Sequence, residues 1–258
     1  MSDAIRVGLV GFGYASKTFH APLIGGTPGM ALKAVASSDA DKVHADWPGV
    51  KVMSAPGDLL DDPDIDLVVI ATPNDTHFPL AKAALEAGKH VVVDKPFTVT
   101  LSQARELESL AKHCGRILSV FHNRRWDSDF LTVSALINEG QLGEVCYFES
   151  HFDRFRPQVR RRWREQAGPG SGIWYDLAPH LLDQVVVLFG LPVSITVDLA
   201  QLRPGAQSTD YFHAVLAYPQ RRVVLHGTLL AAAESARFIV HGSRASYKIG
   251  RASCRGRV

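Results

Sequence analysis

A doubly wound α/β domain, followed by a second α+β domain built on a mostly antiparallel open sheet, is the architecture this sequence predicts. Three observations lead there. Up to about His122, short β-rich runs alternate strictly with helical patterns, as crossover-linked parallel strands require. Glycines at positions 11 and 13 fall between the first strand and the first helix, where a tight turn is needed. Beyond His122 the strands follow one another through short turns, which favours antiparallel pairing with helices on one face.

The elements read in order. Ile5–Val10 is a strand, and Ser16–Ile24 is a helix limited by Pro22. Leu32–Ala36 is the second strand, and the apolar run Ile65–Ala71 is the third. A helix over His77–Ala87 is stopped by Gly88. Val91–Val93 is the next strand, and Leu101–His113 is a helix entered through Thr98 or Thr100 and closed before Gly115. Ile117–Phe121 completes the series. In the second part, Phe130–Asn138 and a stretch within Gly172–Phe189 read as helices. Gly143–Phe155, Val193–Leu202, Tyr211–Tyr218, Arg222–Leu230 and Arg237–His241 read as strands.

The 258 residues are 46% hydrophobic and 21% charged, ordinary for a globular chain of one or two domains. No apolar run is long enough to cross a bilayer, and no basic head with an apolar core opens the chain. Cys114, Cys146 and Cys254 have unrelated spacings and supply neither a disulfide framework nor a zinc set. A reducing cytoplasm is the expected location. Residues 249–258 resemble a translated sequencing adapter and are expected to be a non-native tail. Without their three arginines the formal charge of +2 becomes −1, so the basic balance does not point to nucleic acid or membranes. The expected division is 1–122, 123–248 and that tail, with the natural protein continuing beyond Lys248.

The chemistry-bearing motifs fall at strand ends. Gly11-Phe12-Gly13-Tyr14 joins the first strand to the first helix, and its glycines let the backbone approach a pyrophosphate seated on the helix N-terminus. Ser16 stands where the third glycine of that pattern falls. Ser37 occupies the position where a carboxylate commonly grips the adenosine ribose. With Ser38 beside it, a 2′-phosphate would be tolerated, which favours NADP over NAD. Asp39 is the alternative, one residue further on. Thr72, Pro73, Asn74 and His77 follow the third strong strand and suit a cofactor cleft, although His77 reads equally well as a helix-start residue in water. Three consecutive valines end in Asp94-Lys95-Pro96, so Lys95 stands where open α/β sheets bind ligands. It reads either as a polarising group beside a cofactor or as an ordinary solvated loop lysine.

Asp176 and His180 are four residues apart, which puts them on one helix face. A carboxylate near an imidazole can orient it and raise its basicity. Pro179 fits only if it lies in the first helical turn, which places the pair at a helix entrance. A surface pair and half a metal site are the competing readings. No third and fourth ligands are spaced convincingly, so no metal is expected. The arginine-rich run from Arg154 to Arg164 reads as a solvated loop or one closing over a phosphate-bearing cofactor, not as a nucleic-acid patch. His122-Asn123-Arg124-Arg125-Trp126 suits anionic or polyol groups.

Taken together, Gly11-Phe12-Gly13, Thr72-Pro73, Asp94-Lys95-Pro96, Asp176 and His180 resemble the glucose–fructose oxidoreductase/inositol dehydrogenase (Gfo/Idh/MocA) family from about Ile5 to Lys248. Asp94 stands where the family usually has glutamate. His122–Asp127 and the Arg156-Pro157 to Arg164 segment resemble the branch of NADP-dependent scyllo-inositol dehydrogenases. The resemblance implies an N-terminal Rossmann domain and an incomplete C-terminal domain. It implies a dehydrogenase passing hydride between a cyclic polyol or sugar and NADP, with NAD possible. It assigns Lys95, Asp176 and His180 to catalysis, and adds Asn123, Arg124, Trp163 and Arg164 to Gly11, Phe12, Gly13, Tyr14, Ser37, Ser38, Thr72, Pro73, Asn74, His77, Asp94, Lys95 and Pro96 at the cofactor. Alternatives are an NAD-dependent glycosidase of the same fold and a cofactor-binding but inactive fragment. The expected partners are a small-molecule substrate and, in the full-length protein, further copies of the chain.

Overall fold

The structure is a computed structural model that describes residues 4–233 and 235–250. The chain divides between Phe121 and His122 into two compact units. The first comprises β1 (Ile5–Val10), α1 (Ala21–Gly26), β2 (Met30–Ala36), α2 (Ala40–His44), β3 (Lys51–Met53), α3 (Pro56–Leu60), β4 (Leu67–Ile70), α4 (His77–Glu86), β5 (His90–Asp94), α5 (Leu101–Cys114) and β6 (Leu118–Phe121). Its six strands are parallel in the order β3-β2-β1-β4-β5-β6, the doubly wound Rossmann arrangement.

Alternation along each strand feeds two cores. Val68, Ile70, Val91 and Val93 pack with Ala81 and Leu85 of α4 and Leu107 of α5 on one face. Leu9, Val35 and Val69 pack with Ala21 and Ile24 of α1 and Val43 of α2 on the other. Burial on both faces is why these strands read as nearly continuous apolar runs. Thr100, one of the two expected entry residues, caps α5 by accepting from the Gln103 N–H, and Gly115 ends it at φ +61°.

The second unit comprises α6 (Ser128–Asn138), β7 (Val145–Asp153), α7 (Gly172–Phe189), β8 (Ser194–Ala200), β9 (Tyr211–Ala217), β10 (Arg222–Thr228), β11 (Ala236–Gly242) and β12 (Ser246–Gly250). Its sheet runs β12-β11-β7-β10-β9-β8 and is antiparallel except for the β10–β7 pair. Phe148, Phe152, Phe212, Leu216, Leu225 and Phe238 point to one face and pack with Phe130 of α6 and Leu177, Leu181 and Val185 of α7. The opposite face carries Glu149, His151, His213 and His226.

Several local expectations change. The first helix opens with a wide π turn over Ser16–His20, and Pro22 sits at the start of the α1 turns that follow. Proline is tolerated there because an N-terminal N–H has no intrahelical acceptor. The short elements α2, β3 and α3 were not expected. Pro179 lies well inside α7, not in its first turn, so Asp176 and His180 do not stand at a helix entrance. Proline there cannot donate to the Tyr175 carbonyl, and burial of Leu177, Ala178 and Leu181 on the core offsets that cost. Ile249 and Gly250 of the expected tail pair with Phe238 and Ala236; residues 251–258 lie outside the described residues.

Candidate functional site

β1, β4 and β5 are neighbours in a parallel sheet, so the loops leaving their carboxyl ends emerge side by side. They carry Gly11–Tyr14, Ala71–His77 and Asp94–Pro96. Gly11 has φ +88°, and a Cβ there would sit 2.9 Å from the Ala71 carbonyl oxygen, so the fold itself demands glycine. Gly13 differs. Its φ is unexceptional and an added Cβ would meet no protein atom within 4 Å. The open space it preserves is the approach a pyrophosphate needs, so the loop fits a dinucleotide. Phe12 is buried in the core, which leaves only its backbone for a cofactor. Tyr14 is exposed. Ser16 is fully buried, and its hydroxyl donates to the Gly11 carbonyl at 2.8 Å. The serine thus fastens the loop that a third glycine would merely permit.

After β2, the Ser37 N–H donates to the Met53 carbonyl at 2.9 Å, and its Oγ accepts from the Asp39 N–H at 3.2 Å. Asp39 turns its carboxylate to the Lys42 N–H and caps α2. Ser38 is exposed.

The Thr72 hydroxyl meets that of Thr76 at 2.6 Å, and Asn74 is buried. His77 is 1% exposed, so it is not a helix-start residue in water. Its ring nitrogens face the Pro96 carbonyl at 2.8 Å and the Thr72 carbonyl at 3.0 Å. It braces the β4 loop against the lysine loop. The Lys95–Pro96 peptide is cis, and the Lys95 N–H donates to Asp94 Oδ1 at 2.7 Å. Beneath lies His20, which sequence reasoning missed. It is 3% exposed, stacks near Phe121, and holds Nε2 3.6 Å from Asp94 Oδ2. Burial opposes ionisation of Asp94, but His20 and Lys95 outweigh it and keep the carboxyl below its ordinary range. Nothing in the sequence marks His20, since a lone histidine in a helix has no distinguishing spacing.

In the second unit, α7 carries the buried His180, edge-on to Phe152, and Asp176. The Asp176 carboxylate lies 3.9 Å from Arg154 Nη1 and 3.6 Å from Arg164 Nε. Arg164 stacks on Trp163. Much of the arginine-rich run is therefore paired internally. Its loop is clamped by buried Arg203, which binds Glu165 at 3.1 Å and Asp210 at 3.0 Å. Asn123 begins a 3₁₀ turn. Arg124 pairs with Asp127 at 2.7 Å and lies over Phe152, while Arg125 grips Asp183 through two nitrogens. Buried Arg237 donates to Gln184, whose Nε2 donates to the Arg124 carbonyl. That network was also missed, because its members are scattered through the sequence.

A doubly wound parallel sheet with a glycine loop able to admit a dinucleotide, followed by a mixed sheet, defines a two-domain dinucleotide-binding protein. The chain belongs to the Gfo/Idh/MocA oxidoreductase family. Residues 5–122 match the family's NAD-binding Rossmann fold and residues 134–255 its C-terminal α/β domain. It is 81% identical over 247 residues to the uncharacterised oxidoreductase YdgJ of Escherichia coli, covering 96% of this chain and 71% of that protein. It is 37% identical to scyllo-inositol 2-dehydrogenase (NADP+) IolW of Bacillus subtilis, covering 95% and 68%. The solved YPO2259 protein of Yersinia pestis superposes with a TM-score of 0.91 at 69% identity, covering 96% of this chain and 70% of that one. Among the described residues no helix is long and apolar enough to cross a membrane.

Proposed function

We propose that this protein is an NADP-linked dehydrogenase that oxidises a ring hydroxyl of a cyclic polyol or sugar, or reduces the matching ketone, in the cytoplasm. The observation that carries the reading is the position of Lys95: it directly follows the interior strand β5, beside the loop of β4, with its N–H bound to the Asp94 carboxylate. Gly11 to Tyr14, Thr72 to Asn74 and Asp94 to Pro96 would hold the cofactor, with His77 bracing their loops. Asn123, Arg124, Trp163 and Arg164 are proposed to contribute from the second unit. When bound, the nicotinamide supplies the hydride acceptor or donor.

His180 takes the hydroxyl proton in the oxidative direction and returns it in the reductive one. The Lys95 ammonium stabilises the negative charge developing on the substrate oxygen, an effect strongest where water is excluded. Asp176, held by Arg154 and Arg164, orients a neighbouring substrate hydroxyl or His180. The preference for NADP rests on Ser37 and on Asp39, whose carboxylate is engaged by its own helix. The NADP+ in the name of the relative IolW agrees with it, and that name makes scyllo-inositol the first substrate to assay.

The test is a panel of inositols and sugars assayed with NADP+ and NAD+ for the wild type and Ser37→Asp. The expected result is NADP-linked oxidation, with Ser37→Asp weakening NADP+ by roughly tenfold or more through repulsion of the 2′-phosphate. Release of a chromogenic aglycone without net cofactor reduction would instead establish a glycosidase. NADPH binding without turnover on any substrate would mark an inactive fragment.

A further inference from the structure

The strand register assembles a second cluster of chemically capable side chains on the open face of the second sheet, away from α6 and α7. His226 of β10 is the direct partner of His151 of β7, and Asp153 follows two residues on, on the same face. His151 Nδ1 lies 3.0 Å from Asp153 Oδ2, and His226 Nε2 lies 3.5 Å from Asp153 Oδ1. One ligand atom from each of the three lies within 4.8 Å of the others. Ligands on a four-coordinate zinc stand about 3.3 Å apart, given bonds of roughly 2.0–2.1 Å. The His151–Asp153 and His226–Asp153 contacts are near that value, each through a different oxygen of the one carboxylate.

A second observation points to a ligand. Asp153 Oδ1, the oxygen nearest the His226 ring, is buried yet makes no hydrogen bond, a costly condition for a polar atom. Ionised carboxylate oxygen and neutral imidazole are the donor set of borderline divalent cations. The ligands also stand on adjacent central strands, so the backbone that carries them is rigid.

We propose that His151, Asp153 and His226 form a divalent transition-metal site, zinc being the representative ion, that cross-links β7 to β10 on the open sheet face. Two histidines and one carboxylate leave the fourth position to water. The site lies wholly within the second unit and stands or falls independently of the dehydrogenase reading.

His213 and Tyr211 also face the cluster from β9, and Glu149 reaches His151 from two residues before it on β7.

The full chain, stripped with EDTA, is titrated with Zn2+ against a chromophoric chelator and with Co2+ for its visible absorption. One ion per chain is expected. His226→Ala and Asp153→Asn should each weaken binding beyond the roughly 10–100-fold that outer ligand partners are worth. His241→Ala, on the same face but hydrogen-bonded to Ser246, should leave affinity unchanged. Weak binding at several ions per chain, or affinity that survives loss of His226, overturns the site. Should the variants not fold, diethyl pyrocarbonate labelling of the wild type decides. Zn2+ should protect His151 and His226 but not His241, and equal labelling with and without Zn2+ contradicts the proposal.

Discussion

The two six-stranded sheets solve opposite problems. The parallel sheet is covered on both faces, so its strands carry apolar residues at nearly every position and its chemistry is pushed to the carboxyl-end loops. The mixed sheet is covered by helices on one face only. Its strands β7 and β9 alternate between buried and half-exposed residues, which leaves every second position free to be polar. The lesson is where to look for function: at the strand ends of a buried sheet, and across the strands of an open one.

The largest effect that would break this contrast lies in the second unit. Arg203, Glu165 and Asp210 are all nearly inaccessible. Burial opposes ionisation of Glu165, but the Arg160 N–H, Arg162 and Arg203 hold its carboxyl below the usual range. Removing the guanidinium leaves the buried Asp210 carboxylate without its charged partner, while Glu165 keeps Arg162. Arg203→Met should cost about 3–5 kcal/mol in denaturant unfolding of the second unit while unfolding of the first unit is unchanged. Loss of stability in both together would mean that the units are not independently stable.

A finer test separates two glycines of one loop. Gly11→Ala is strained by its positive φ and by the Ala71 carbonyl, and should lose about 1–3 kcal/mol of stability. Gly13→Ala should leave the melting temperature unchanged yet weaken NADPH roughly tenfold or more, since only a ligand needs the space. Equal NADPH affinity in Gly13→Ala would remove the pyrophosphate from this loop.

The smallest expected effect is at the sheet's amino-terminal end. Arg6 of β1 grips Asp66, just before β4, through a side-chain hydrogen bond at 2.7 Å and pushes its carboxyl down to about 2. A lowered carboxyl stabilises the fold above the ordinary carboxylate range, and that contribution fades as pH falls toward about 2. Because the pair is partly exposed, Asp66→Asn should cost only about 0.5–1 kcal/mol at neutral pH. The difference from wild type should shrink in acid.

Legibility in the sequence follows the same contrast. Val91–Val93, the Gly11–Gly13 loop and the capped α5 were readable because their signals are local. α2, β3 and α3, of three to five residues, were not, since no periodicity develops over so short a span. The π turn was invisible because hydrogen-bond spacing leaves no compositional mark. Pro179 misled because tertiary burial of α7 overrides the local cost of proline. Lys95, Gly11 and Gly13 were expected just after strands, and the structure puts them after β5 and β1. His20 and the Arg237–Gln184 pair depend on packing between distant segments. The His151, Asp153 and His226 cluster depends on register, since β7 and β10 are separated in sequence by α7 and two further strands.

The most direct test of the central claim is steady-state turnover of the wild type and Lys95→Ala with NADP+ and a cyclic polyol, alongside NADPH binding. Loss of the lysine should lower kcat by roughly 100-fold or more, with the fold intact and cofactor affinity changed far less. Full turnover in Lys95→Ala would contradict the assignment of the lysine to the reacting oxygen, and with it the mechanism proposed for this protein.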